Sequence, residues 1–173
     1  MHLGDFKMYA PYGTWESPIT PALAAASSTS IEGMCWDGPT LYWIERRPQE
    51  KGRRVIVRLL PNGKREDILP PPFSAMNGVH SYGGGAMAVS QGEVFFTNGG
   101  DRRIYRMRIG EPPVAVTPEG AYHYADLEVD RLRYRLLCVR EDHTEEGSEA
   151  TTTICEVQLD TGRVQTVIQG AHF

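Results

Sequence analysis

The chain has 173 residues, 40% of them hydrophobic and 23% charged, with a net charge of −4; this is a globular composition with room for one ordinary domain and its core, not that of a disordered tail. Lys and Arg are scattered among Asp and Glu and form no basic stripe, which argues against nucleic acid as a partner, and no run approaches the roughly 18 apolar residues of a membrane span. The 18 glycines and 12 prolines point to a turn-rich protein, and the eight tyrosines and three tryptophans suit strands.

Residues 1–30 read as a leader rich in turn formers. Prolines 11, 18 and 21 remove backbone donors and fix φ, so Ala10–Thr20 is not expected to hold a helix. Pro21 could open one short helical turn through Ala22–Ala26, the single helix candidate. From Ile31 the texture changes to short strands. Gly33–Asp37 is followed by a Gly38-Pro39 turn and by Leu41–Glu45. Arg54–Leu59, a Pro61-Asn62-Gly63 turn and the more polar Lys64–Leu69 complete a unit that ends at Pro70-Pro71-Pro72.

The same order recurs twice. Gly85–Ser90, Glu93–Asn98, Arg103–Met107 and Val114–Thr117 make a second unit. Ala125–Val129, Tyr134–Arg140, Thr153–Leu159 and Val164–Ile168 make a third. Aligned on their second strands, Leu41, Val94 and Leu136 are 53 and 42 residues apart, the size of a β-propeller blade, about 40 to 50 residues. The fourfold grouping favours blades over a β-sandwich. The expected fold is therefore all-β: about three four-stranded antiparallel blades, at 31–72, 78–118 and 121–170, of an incomplete β-propeller. A propeller closes with about four to eight blades. Three would leave open edges, to be covered by further blades or by self-association.

Cys35, Cys138 and Cys155 are odd in number and widely spaced among apolar neighbours, and are expected to be buried thiols in a reducing compartment. There is no C-x-x-C pair, so a zinc site is not expected, and no cofactor is assigned. Met1–Phe6 has no basic region leading into an apolar run. No signal peptide is therefore expected, and the expected location is cytoplasmic.

Several stretches resemble, in order, members of the prolyl oligopeptidase family of serine peptidases, the dipeptidyl-aminopeptidase and acylaminoacyl-peptidase-like enzymes. They are Ala10–Thr20, Leu41–Pro48, Pro70–Phe73, Val79–Ala86, Val139–Thr144 and Gly170–Phe173. The resemblance implies the N-terminal β-propeller of such an enzyme. Its catalytic α/β-hydrolase domain, with the Ser-Asp-His triad, is expected outside this chain. It also implies that the chain gates peptide access for that domain, which would be its partner, and is inactive alone. The chain departs from the family at Ser81, where the family usually has a glutamate.

Ser81, in Val79-His80-Ser81-Tyr82-Gly83, is one residue short of a G-x-S-x-G nucleophile turn. A small hydrolase using Ser81 would need a strand-to-helix turn around it, yet Gly83-Gly84-Gly85 are poor helix formers. No residue is assigned as catalytic. His80 and Tyr82 are candidates for a substrate-facing or interface position, against the simpler reading of an inter-strand loop. Arg140-Glu141-Asp142-His143 could hold a peptide terminus, since a carboxylate pair binds an ammonium. The alternative is a solvated mixed-charge loop. Metal binding by Asp142 and His143 lacks a third ligand nearby in sequence. Arg46-Arg47 and Arg53-Arg54 read as a solvated hairpin tip. Trp36, Tyr42 and Trp43 read as blade core or inter-blade packing. A stand-alone module pairing through open blade edges is the alternative function.

Overall fold

A computed structural model describes residues 11–14, 18–20, 28–145 and 149–170. The helix candidate at Ala22–Ala26 lies outside the described residues. Among those residues there are twelve strands, two short 3-10 turns and no α-helix. The strands form three four-stranded antiparallel sheets, each in simple sequential order. The first holds β1 (Ser30–Asp37), β2 (Thr40–Arg47), β3 (Arg53–Leu59) and β4 (Arg65–Asp67). The second holds β5 (Met87–Ser90), β6 (Glu93–Thr97), β7 (Ile104–Arg108) and β8 (Val114–Ala115). The third holds β9 (Tyr122–Asp130), β10 (Arg135–Asp142), β11 (Thr151–Gln158) and β12 (Val164–Gln169). The sheets pack as a row that does not close, as expected for an incomplete propeller.

Local sequence explains the hairpins. Gln91 and Gly92, between β5 and β6, both have positive φ (53° and 75°), the backbone a tight two-residue hairpin needs. The middle sheet is buried on both sides. Successive strand residues face opposite sides, so Val94 and Phe96 join the cluster of Trp43, Val55 and Ile56, while Phe95 joins Tyr124, Leu136 and Val157. That is why β6 reads as an unbroken apolar run rather than an alternating one.

Polar clasps link neighbouring sheets. Asp37, at the end of β1, accepts the backbone N–H groups of Gln91 (2.9 Å) and Gly92 (2.6 Å). One sheet further on, the β5–β6 hairpin grips Arg131 at the β9–β10 turn, through the Ser90 carbonyl and the Glu93 carboxylate (2.6 Å).

Several expectations are corrected. Trp36 is 67% exposed, whereas Tyr42 and Trp43 are buried; β1 lies in an end sheet of the row, with no described sheet covering its far side. Cys35 is only partly buried, while Cys138 and Cys155 are buried and directly opposite across β10 and β11, their sulfurs 3.4 Å apart. The arginines of the first sheet pair within it: Arg47 binds Glu45, Glu50 and Asp67, and Arg53 binds Glu50. The Ser81 hydrolase reading fails on fold, because Ser81 leads into glycine coil and then β5, with no helix.

Candidate functional site

The loop from Asn77 to Gly85 enters the second sheet and lies against the third. Asn77 folds it back on itself. Its amide oxygen accepts the N–H groups of Val79 (3.3 Å) and Gly84 (2.9 Å), and its amide nitrogen donates to the Gly84 carbonyl (3.0 Å). Gly85 then makes two bonds to Asp126. Its N–H donates to the carboxylate (2.6 Å), and its carbonyl accepts the Asp126 N–H (2.7 Å). This pairing holds Gly85 out of β5, which starts at Met87. It also brings the chain so close that a Cβ on Gly84 would lie 2.8 Å from an Asp126 carboxylate oxygen.

Between Asn77 and Gly84, residues Val79–Ser81 make a single 3-10 turn in which His80 and Ser81 have positive φ (52° and 61°). The turn aims the His80 backbone N–H at the carboxylate of Glu141, 2.7 Å away. The His80 ring lies alongside, with Nδ1 3.2 Å from the same oxygen.

Glu141 does not sit in a solvated loop, as its charged neighbours suggest. It is inside β10, which runs on to Asp142, and is only 5% exposed. Arg140, Glu141 and Asp142 stay in the strand because they pair on both sides, with Tyr124, His123 and Tyr122 of β9 and with Thr153, Thr152 and Thr151 of β11. Alternation then splits the charged tetrad. Glu141 and His143 face the loop with His80. Arg140 stacks over the Tyr122 ring and bonds the Thr166 hydroxyl (3.3 Å). Asp142 accepts bonds from Thr144.

Register also supplies a residue that sequence reasoning missed. His123 lies directly opposite Glu141 across β9 and β10. Its Nδ1 is 3.5 Å from one Glu141 oxygen, and the same oxygen is 3.1 Å from His143 Nε2. The two imidazole rings lie 4.1 Å apart. The one signal in the sequence is the Tyr122-His123-Tyr124 run, whose alternation turns the histidine to the face opposite its tyrosine neighbours. Burial, then the Arg102 guanidinium and His143, hold the His123 imidazole below its ordinary pKa.

These side chains line a cavity of about 270 Å³ together with Gly78, Ser81 and Thr152. Its floor is a buried carboxylate and two imidazoles, a donor set suited to a cationic group or a divalent metal ion. Tyr82 is not part of it. It is 98% exposed and borders a separate hollow with Glu32 and Arg54.

No protein-family model and no curated protein matches the sequence. Solved structures do. A puromycin hydrolase shares 32% identity at a TM-score of 0.83 over 94% of this chain. A puromycin-hydrolyzing peptidase of Mycobacterium tuberculosis shares 30% at 0.82 over 95%. The chain spans 28% of the length of each. Over that length it is similar to the N-terminal propeller of prolyl oligopeptidase-family peptidases, the resemblance its motifs suggested. No helix of the described residues is long and apolar enough to cross a membrane.

Proposed function

We infer that this chain, similar along nearly its whole length to the propeller portion of puromycin-hydrolyzing peptidases, forms part of the wall through which peptides reach a catalytic domain. The likeness at a TM-score of 0.83 over 94% of the chain carries the reading. In this role the propeller selects substrates by size and charge, and the chemistry belongs to the hydrolase domain. In this reading the cavity lined by His80, His123, Glu141 and His143 receives a peptide's charged end, supported by its buried carboxylate, and Tyr82 contacts the hydrolase domain, supported by its exposure.

Both end sheets carry apolar side chains suited to further blades. Ile31, Met34 and Trp36 of β1, and Val167 and Ile168 of β12, are each more than half exposed. The same faces support the second reading, a module that pairs with another chain. The test of the first is co-purification of this chain with a propeller-free hydrolase domain from a puromycin-hydrolyzing peptidase. A stoichiometric complex that favours short peptides over unfolded protein is expected. Failure to associate, with self-association instead, favours the second reading.

A further inference from the structure

We propose that His123, Glu141 and His143 form a binding site for a divalent transition-metal ion, with His80 as a fourth ligand that ties the second sheet to the third. The first three residues each offer a ligand atom, and these atoms lie within 4.8 Å of one another. Donors about 2.1 Å from a tetrahedral ion sit about 3.4 Å apart. The Glu141 oxygen is 3.1 Å from His143 Nε2 and 3.5 Å from His123 Nδ1, close to that spacing, and an ion would draw the two imidazoles toward the same separation from each other.

A second observation points to a ligand. His123 is only 8% exposed, and its buried Nδ1, beside the Gly78 backbone and 3.5 Å from a Glu141 oxygen, makes no well-formed hydrogen bond in the wall of the cavity. A buried ring nitrogen left unpaired is costly, and a metal ion in the cavity would satisfy it. The donor set of two imidazoles and one carboxylate matches zinc and its neighbours rather than calcium or magnesium, which prefer oxygen ligands.

Two groups must adjust. His123 Nε2 is held by the guanidinium of Arg102. Binding through Nδ1 puts the ring proton on Nε2, where that donor is unwelcome, but Arg102 is an exposed side chain and can swing out. His80 Nδ1 already lies 3.2 Å from Glu141, and its side chain is 56% exposed and able to turn. Glu141 retains the His80 N–H on its other oxygen, and that bond orients the carboxylate toward the ion. The ion would therefore hold the 3-10 turn of Val79–Ser81 against β9 and β10.

The test is calorimetric titration of the full chain, stripped with chelator, with Zn²⁺ alone, repeated with Co²⁺ to read the absorption of a tetrahedral site. One ion per chain is expected, with a rise in melting temperature. Losing a group that only orients a metal ligand weakens metal binding by about 10- to 100-fold, so removing a ligand does at least as much. His143→Ala touches an exposed ring and leaves the core intact, so it is expected to weaken binding by more than about tenfold without unfolding the chain. Glu141→Gln is expected to do the same, and His80→Ala to weaken binding less. No one-to-one binding by the folded chain would overturn the proposal. So would binding that survives in a folded His123→Ala/His143→Ala variant.

Discussion

The backbone N–H of His80 donates to the carboxylate of Glu141 at 2.7 Å, across 61 residues of chain. This bond joins the loop that enters the second sheet to the middle of the third. It fixes the relative position of two of the residues that line the cavity.

Replacing Glu141 by Ala removes that acceptor and leaves the His80 N–H without its partner. The bond is part-buried and made to a carboxylate, and loss of a hydrogen bond to a charged group lowers stability by about 1.5–3 kcal/mol. Urea unfolding should show that loss. Hydrogen exchange should show faster exchange at His80 and Ser81, with little change at the β6 amides. Glu141→Gln keeps an acceptor and should lose less.

Gly84→Ala places a methyl group 2.8 Å from an Asp126 oxygen. Two backbone segments are already joined there through Gly85, so the neighbour cannot move freely. Overpacking of this sort lowers stability by about 1–3 kcal/mol. The loss should shrink in a Gly84→Ala/Asp126→Ala double variant, measured by thermal unfolding.

The Glu93 carboxyl carries the pH dependence of the clasp between the second and third sheets. Burial alone would push its pKa up, but the bonded Arg131 and nearby Arg108 outweigh burial and hold it below the ordinary value of about 4.5. With the folded-state pKa below the unfolded one, the unfolded chain binds more protons in the window between them. The stability from this group is present above the ordinary carboxylate value and is lost as pH falls through the folded-state value. Stability measured by urea unfolding should fall with acidification in that window, and Glu93→Gln should flatten the slope.

The exposed apolar residues of the end sheets make a separate prediction. Sedimentation of the isolated chain should show concentration-dependent association. A Trp36→Ser/Ile168→Thr variant should reduce it while leaving the circular dichroism of the sheets unchanged, because both side chains are more than half exposed.

The periodic parts of the fold are readable from the sequence. Apolar runs such as Val94-Phe95-Phe96, with Gln91-Gly92 before them, mark strands and turns through local chemistry alone. The site is less readable because it is built from register. Arg140-Glu141-Asp142 has the composition of a loop, and only pairing with β9 and β11 makes it strand. His123 lies 18 residues from Glu141 in sequence, and cross-strand pairing alone places them face to face. Trp36 reads as core because tryptophan usually is, and whether it is covered depends on what packs against β1.

Peptide hydrolysis is the sharpest test of where the chemistry resides. The chain alone, incubated with aminoacyl-amide and short peptide substrates, is predicted to give no turnover above that of its Ser81→Ala variant, because Ser81 sits on a 3-10 turn and not at a strand-to-helix elbow. Mixed with a propeller-free hydrolase domain, it is predicted to restrict that domain to short peptides. Turnover by the chain alone that disappears in Ser81→Ala would overturn this division of labour.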